Sequence, residues 1–275
     1  MIREVCIVCS AYQSRIHSSL FFLPSVIIFG CICSSSQLLF TPQEYQPWLP
    51  TTLRGPQRPV SLECLFSEPT KLRPAVLSTL PNRPEENSTS PVPFFHLIER
   101  LKTTKREGWR RFGINGESIS DHMYRMSIMT MMAPPSLATK INIPHCTKMA
   151  LIHDMAEALV GDITPVDYHI TKAEKARREA AVMDYITSTL LGKVPGGILS
   201  GEEIKKVFEE YEKDETLEAH FVHDIDKMEL LLQMVEYERS NEVDLTEFTH
   251  VASRIRLPEI QAWAAEVIQE RQKKA

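Results

Sequence analysis

The sequence predicts an all-α domain over residues 94–275, preceded by an extension that builds no core of its own. Three observations lead there. From residue 94 onward, apolar residues recur at the three-and-four spacing of helices, and no stretch alternates with the period of two that a half-buried strand shows. Composition changes near residue 93: the first 93 residues hold twelve of the eighteen prolines and five of the six cysteines. Charge changes at the same place, from seven basic against six acidic residues before it to twenty-four against thirty after it. The whole chain of 275 residues has a net charge of −5 and no Lys/Arg block. That excludes a grip on a nucleic-acid polymer built on phosphate neutralisation, but leaves open single nucleotides, for which one or two cations and a metal suffice.

The extension has two parts. Cys6 to Gln43 contains no acidic residue, and its apolar run Ser19 to Cys33 is too short, and interrupted by Pro24, for a stable membrane span of about 20 residues. With Arg3 and Arg15 ahead of it, the run reads either as an organelle-targeting segment or as a poorly ordered N-terminus with no address. Cys6, Cys9, Cys31 and Cys33 form CxxC and CxC pairs but lack the polar turns of a zinc ribbon. Residues 41–93 are rich in Pro, Ser and Thr and read as a disordered linker. The sequon at Asn87 matters only in a secreted chain. The domain carries a single cysteine, Cys146, which suits a reducing compartment and a cytoplasmic, or also nuclear, location.

The helices follow in order. Phe94, Leu97, Ile98 and Leu101 define a first amphipathic helix. A second starts with Ser120 as N-cap, runs through Met123 to Met132 and stops before Pro134-Pro135. The segment Ala133 to Ile143, with those two prolines, is a local irregularity. A third opens with Pro144 in its first turn and closes at Gly161, with Met149, Ile152, Ala156 and Leu159 on one face. Thr171 with Glu174 is a capping box opening a long helix that ends near Gly192. Ser200 with Glu203 is another, ahead of Ile204, Val207, Phe208 and Tyr211. A further helix spans roughly Leu217 to Arg239, and Pro258 starts the last, with Ile260, Trp263 and Val267 inward.

Chemistry sits on three of these helices. In the apolar run Ala150 to Glu157, His153 and Asp154 are expensive to bury unless paired or ligated. On a helix His153 and Glu157 share a face, with Asp154 about 100° around. Upstream, Ser120-Asp121-His122 places a second imidazole near a helix start. Downstream, the segment from His223 to Lys227 puts Asp224 and Asp226 on a helix whose Phe221, Met228, Leu232 and Val235 face the core. His223 with Asp226 at i, i+3 is a competing ligand pair or a solvated face, and His96, His145, His169, His220 and His250 are structural. Two His and two Asp from three helices make a mixed N/O set suited to Mn²⁺, Co²⁺, Fe²⁺, Mg²⁺ or Zn²⁺.

The order His122…His153-Asp154…Asp226 resembles the H…HD…D signature of the HD-domain metal-dependent phosphohydrolases. Glu117 to Met126 and His153 to Glu157, with Gly161-Asp162-Ile163, are more closely similar to the eukaryotic branch of the HD-domain 5′-deoxynucleotidases, and the likeness covers about residues 94–272. The resemblance implies a homodimer that hydrolyses deoxyribonucleoside 5′-monophosphates to deoxynucleoside and phosphate with a divalent cation, Mn, Co or Mg. It implies that His122, His153, Asp154 and Asp226 hold that ion, and that Glu157, Asp162 and the Ile163 carbonyl hold a second ion or help bind substrate. Arg106 falls where the family has a phosphate-orienting arginine, Glu157 is the carboxylate placed to orient a water, and Asp162 can accept from the sugar hydroxyl. Bacterial members carry an aromatic residue directly after that arginine, whereas here Glu107 follows and Trp109 comes two positions later. Two other readings stand beside this one: a different HD phosphohydrolase, acting on cyclic nucleotides or guanosine polyphosphates, and a non-catalytic nucleotide-sensing helical module.

Overall fold

The computed structural model describes Leu77, Leu80 and residues 82–167 and 169–273; the targeting-like run and the four N-terminal cysteines lie outside the described residues. Among the described residues the chain is helical, with one isolated antiparallel bridge, Lys105 to Ser118, in place of a sheet. The helices are α1 (Val92–Ile98), α2 (Glu107–Arg110), α3 (Ile119–Met131), α4 (Pro135–Ala138), α5 (Ile143–Ile152), α6 (Glu157–Val160), α7 (Lys172–Asp184), α8 (Gly197–Lys213), α9 (Leu217–Asn241) and α10 (Pro258–Gln272). A 3₁₀ turn, Glu99–Lys102, extends α1, a π turn, Tyr185–Leu190, extends α7, and a 3₁₀ segment, Thr246–Arg254, precedes α10.

Packing centres on α3, α5 and α9, each against the other two, with α8 against α5 and α9, and α10 along the outside of α9. Ile119 and Met126 of α3, Cys146, Met149 and Ala150 of α5, and Phe221, Ile225, Leu231 and Met234 of α9 are fully buried. Burying each of the larger of these stabilises the fold by roughly 1.5–3 kcal/mol. No helix among the described residues is long and apolar enough to cross a membrane.

The expected elements recur with specific differences. The N-cap of α3 is Ser118, not Ser120: its hydroxyl accepts from the Asp121 amide, and the Asp121 carboxylate accepts back from the Ser118 amide. A carboxylate three residues on closes this reciprocal box as a glutamate would. Ser200 lies inside α8, which begins at Gly197 behind the left-handed Gly196, so Ser200 and Glu203 form no capping box. Thr171 caps α7 as expected, accepting from the Glu174 amide, while the Glu174 carboxylate turns instead to Arg177 and Arg178. The two prolines ahead of Ile143 are accommodated by the short helix α4.

The helix expected to run unbroken from Pro144 to Gly161 is divided. Its first part ends at Ile152, and His153 to Ala156 form turns before α6 resumes at Glu157. Met155, Glu157, Ala158 and Leu159 each donate to the carbonyl three residues back, so this stretch winds more tightly than an α-helix. Gly161 ends it at φ +76°, which a side-chain-bearing residue rarely adopts. The packed chain also begins before residue 94. Leu77 and Leu80 join the core, and the Asn87 amide donates to the Thr189 carbonyl at 3.0 Å.

Candidate functional site

The division after Ile152 positions the chemistry. His153 caps the end of α5, donating its backbone amide to the Met149 carbonyl, and Asp154 follows in the first turn beyond the helix. His122 comes from the first turns of α3 and Asp226 from the middle of α9, so the three packed central helices meet at these side chains. Possible ligand atoms of His122, His153 and Asp154 lie within 4.8 Å of one another. His153 Nε2 is 3.2 Å and His122 Nε2 3.8 Å from Asp154 Oδ2, and His122 Nε2 is 3.2 Å from Asp226 Oδ1.

The imidazoles suit a cation in a specific way. His122 Nδ1 pairs with Glu229 Oε2 at 2.7 Å, and His153 Nδ1 with the Ala150 carbonyl at 3.0 Å. Each Nδ1 faces an acceptor, so in the neutral ring that a metal ligand requires it keeps the hydrogen, and each Nε2 lone pair is directed at the carboxylates. Both Nε2 atoms are buried without a hydrogen-bond partner, and so is Glu157 Oε2. Two orphaned imidazole nitrogens beside two carboxylates fit a divalent ion with mixed N/O ligands, because leaving them buried and unsatisfied costs about 1–3 kcal/mol apiece.

Arg106, the N-cap of α2, lies over this group. Its Nη1 is 3.3 Å from Asp154 Oδ2 and its Nη2 4.0 Å from Asp226 Oδ1. Burial disfavours its charge, but Asp162, Asp154, Asp226 and Glu157 together hold it well above the ordinary guanidinium value. Burial alone would raise the Asp154 and Asp226 carboxyls. The His153 ring and Arg106 beside Asp154, and His122 beside Asp226, hold both below the usual carboxylate range. Burial, followed by the charges of Asp154 and Asp162, pushes Glu157 well above it. Burial and Arg106 depress His122, but Glu229 and Asp226 prevail and raise it to about 9.

The predicted residues are not equally close. His122, His153, Asp154, Asp226 and Arg106 converge. Glu157 is adjacent, with Lys175 Nζ at 3.8 Å from its Oε1. Asp162 accepts the Glu107 amide at 2.7 Å and thereby holds the start of α2, the segment that carries Arg106. Ile163 is buried next to it. Trp109 is in the core, donating Nε1–H to Glu117 and packed edge-on to Tyr237, so it presents no aromatic face to a ligand. His223 is neither a ligand nor a solvated face: its ring stacks on Tyr211 at 3.9 Å, and Tyr211 in turn packs against the His153 ring.

Sequence reasoning missed Glu229, Arg125, Lys175 and Glu179. Lys175 Nζ stands 3.4 Å from Glu179 Oε1, and Glu229 accepts from both His122 and Arg125. A signal did exist in the spacing. His122 is followed three residues later by Arg125, and Asp226 three residues later by Glu229, which places each helper one turn beyond its ligand.

A family model described as "HD domain" matches residues 98–263. The chain is 48% identical over 190 residues to the 5′-deoxynucleotidase hdd1 of Schizosaccharomyces pombe, covering 67% of this chain and 92% of that protein. It is 41% identical over 184 residues to the 5′-deoxynucleotidase YGK1 of Saccharomyces cerevisiae, covering 65% and 82%. Among solved structures, the HD domain-containing protein YGK1 matches with a TM-score of 0.52 at 30% identity, covering 72% of this chain and 91% of that one. A conserved hypothetical protein from Pyrococcus furiosus matches with a TM-score of 0.53 at 29% identity, covering 66% and 99%.

Proposed function

We propose a reaction on the premise that this chain is a member of the HD-domain family and belongs, within it, with the 5′-deoxynucleotidases. It is a phosphoric monoester hydrolase that converts deoxyribonucleoside 5′-monophosphates to deoxynucleoside and phosphate. The observation that carries this reading is the pair of buried, partnerless Nε2 atoms of His122 and His153, facing Asp154 and Asp226 beneath Arg106.

In this reading His122, His153, Asp154 and Asp226 hold one divalent ion, Mn, Co or Mg, and Glu157, Asp162 and the Ile163 carbonyl serve a second ion or the substrate. When bound, the ion supplies an activated water near neutral pH and positive charge against the phosphoryl oxygens. Arg106 contributes two parallel N–H donors to those oxygens and is already cationic in its buried place. Glu157 has an oxygen with no other partner, available to orient the attacking water, and burial raises its affinity for the proton that water gives up. Asp162 steadies the Arg106 segment through the Glu107 amide, which leaves its second oxygen for the sugar hydroxyl or an ion.

The reading extends to a homodimer in the cytoplasm. Tyr124, Ile128, Met131 and Met132 are exposed along one face of α3, an apolar surface available to a second copy. Sedimentation analysis tests that part.

Asp154→Asn tests the chemistry. The amide is a much poorer ligand for a hard cation, so phosphate release from dAMP at saturating Mn²⁺ should fall at least about a hundredfold while the helical circular dichroism is unchanged. Activity above about a tenth of wild type would overturn the metal assignment. Profiling wild type against dNMPs, NMPs and cyclic nucleotides separates the reaction from other HD phosphohydrolases: activity confined to cyclic substrates would overturn it, and no activity on any of them would favour a sensing module.

A further inference from the structure

His122 is held between two carboxylates that come from the same helix. Asp226 Oδ1 faces its Nε2 at 3.2 Å and Glu229 Oε2 its Nδ1 at 2.7 Å, one turn further along α9. The Glu229 carboxylate is buried, and its other oxygen accepts from Arg125, with Nε at 2.8 Å and Nη2 at 2.7 Å. Arg125 is fixed in turn by Gln233 Oε1 at 2.8 Å and Glu236 Oε2 at 2.7 Å, so three successive turns of α9 hold one guanidinium. Arg125 lies one turn beyond His122 on α3. The two helices are therefore cross-linked at two levels, first by His122 with Asp226 and then by Arg125 with Glu229.

We propose that Glu229, anchored by Arg125, is a positioning residue that selects the metal-binding tautomer of His122. The inference rests on the metal reading of the site given above. Without an ion the two carboxylates favour the cationic ring, but a ligating imidazole must give up one hydrogen, and the two carboxylates compete to keep the one that remains. With the hydrogen on Nε2, His122 donates to Asp226, and both groups are lost as ligands in a closed internal hydrogen bond. With the hydrogen on Nδ1, the ring donates to Glu229, leaving the Nε2 lone pair and the Asp226 carboxylate available for a cation. The geometry favours Glu229, whose contact is 0.5 Å shorter (2.7 against 3.2 Å) and whose position is locked by Arg125. Glu229 has no contact with the phosphoryl group in this scheme and acts only through His122.

The test is Mn²⁺ affinity of the full-length protein, measured by electron paramagnetic resonance titration with Mn²⁺ alone, in wild type, His122→Ala, Glu229→Ala, Glu229→Gln and Arg125→Leu. Glu229→Ala should weaken binding about 10- to 100-fold, the range for loss of an outer partner of a ligating histidine. Glu229→Gln keeps the shape, so it serves if the alanine variant does not fold. It should still weaken binding at least about fivefold, since an amide polarises Nδ1–H less and no longer forms an ion pair with Arg125. Arg125→Leu should lie between wild type and Glu229→Ala. ¹⁵N spectra of metal-free protein recorded above about pH 9, where the ring is neutral, should report His122 with its hydrogen on Nδ1 in wild type and a mixture in the glutamine variant, a change that a purely structural role would not produce. Wild-type affinity, within twofold, in folded Glu229→Gln while His122→Ala loses Mn²⁺ would overturn this inference and leave the proposed function standing. Unchanged affinity in His122→Ala as well would overturn both.

Discussion

Arg106 and Lys105 are adjacent cations, and only the tertiary environment separates them. The Arg106 side chain is 17% exposed and reaches two of the proposed ligands, whereas Lys105 is exposed to solvent. Arg106→Ala should therefore lower kcat by about 10²-fold or more, the scale for losing one donor to a developing phosphoryl charge. Arg106→Lys should recover only part, and Lys105→Ala should be nearly silent in steady-state assays on dAMP. Equal small losses from both alanine variants would mean that the ion alone holds the phosphate. Glu179 gives a second test, of stability. Burial raises its carboxyl to about 7, against the pull of Lys175, from an ordinary value of 4.5. Its ionised form is disfavoured in the folded protein, so its cost is absent below about pH 4.5, grows as pH rises, and is complete above about 7. The full cost is about 3 kcal/mol as an order of magnitude. Glu179→Gln should raise Tm at pH 8 and leave it nearly unchanged at pH 5; equal effects at both pH values would contradict the assignment.

At the scale of elements, the site depends on where helices start and stop. Ser118 caps the helix that carries His122, and its hydroxyl both accepts from the Asp121 amide and donates to the Asp121 carboxylate at 2.7 Å. Ser118→Ala should cost about 1 kcal/mol in urea denaturation, within the 0.5–2 kcal/mol range of such caps, with Mn²⁺ binding retained. Ser118 and Ser120 are the same residue type, so composition alone does not choose between them as the cap. The true start lies at the earlier one, where the Lys105–Ser118 bridge holds the chain extended. The turns at His153 to Ala156 were equally hidden. Met, Ala and Glu are good helix formers, and nothing local interrupts the pattern before Gly161.

For the whole molecule, the boundary expected at residue 94 falls too late. Leu77 and Leu80 are buried in the core, and Tyr185 donates to Glu86 at 3.4 Å. A chain beginning near residue 70 should keep dNMP hydrolysis, since every proposed site residue lies beyond it. One beginning at Pro91 should lose about 2–5 kcal/mol for each buried leucine removed. Equal melting temperatures for the two truncated proteins would show that these leucines contribute nothing. Short apolar residues inside a Pro- and Ser-rich stretch read as linker by composition, which registers averages and not the few side chains that dock.

The sequence by itself determined the all-α class and the start of most long helices, and it supplied His122, His153, Asp154 and Asp226 as candidates, with Arg106 added by the family resemblance. Caps, periodicity and motif spacing are local properties, encoded within a few residues of where they act. Only the tertiary structure decided which histidines converge with Asp154 and Asp226, and which stack elsewhere, as the half-buried His223 does on Tyr211. It also decided that a helical-looking segment breaks at His153, and that Glu229 lies behind His122. Those outcomes depend on contacts between residues far apart in the chain, 107 positions in the case of His122 and Glu229, and the packing of α3 against α9 brings them together.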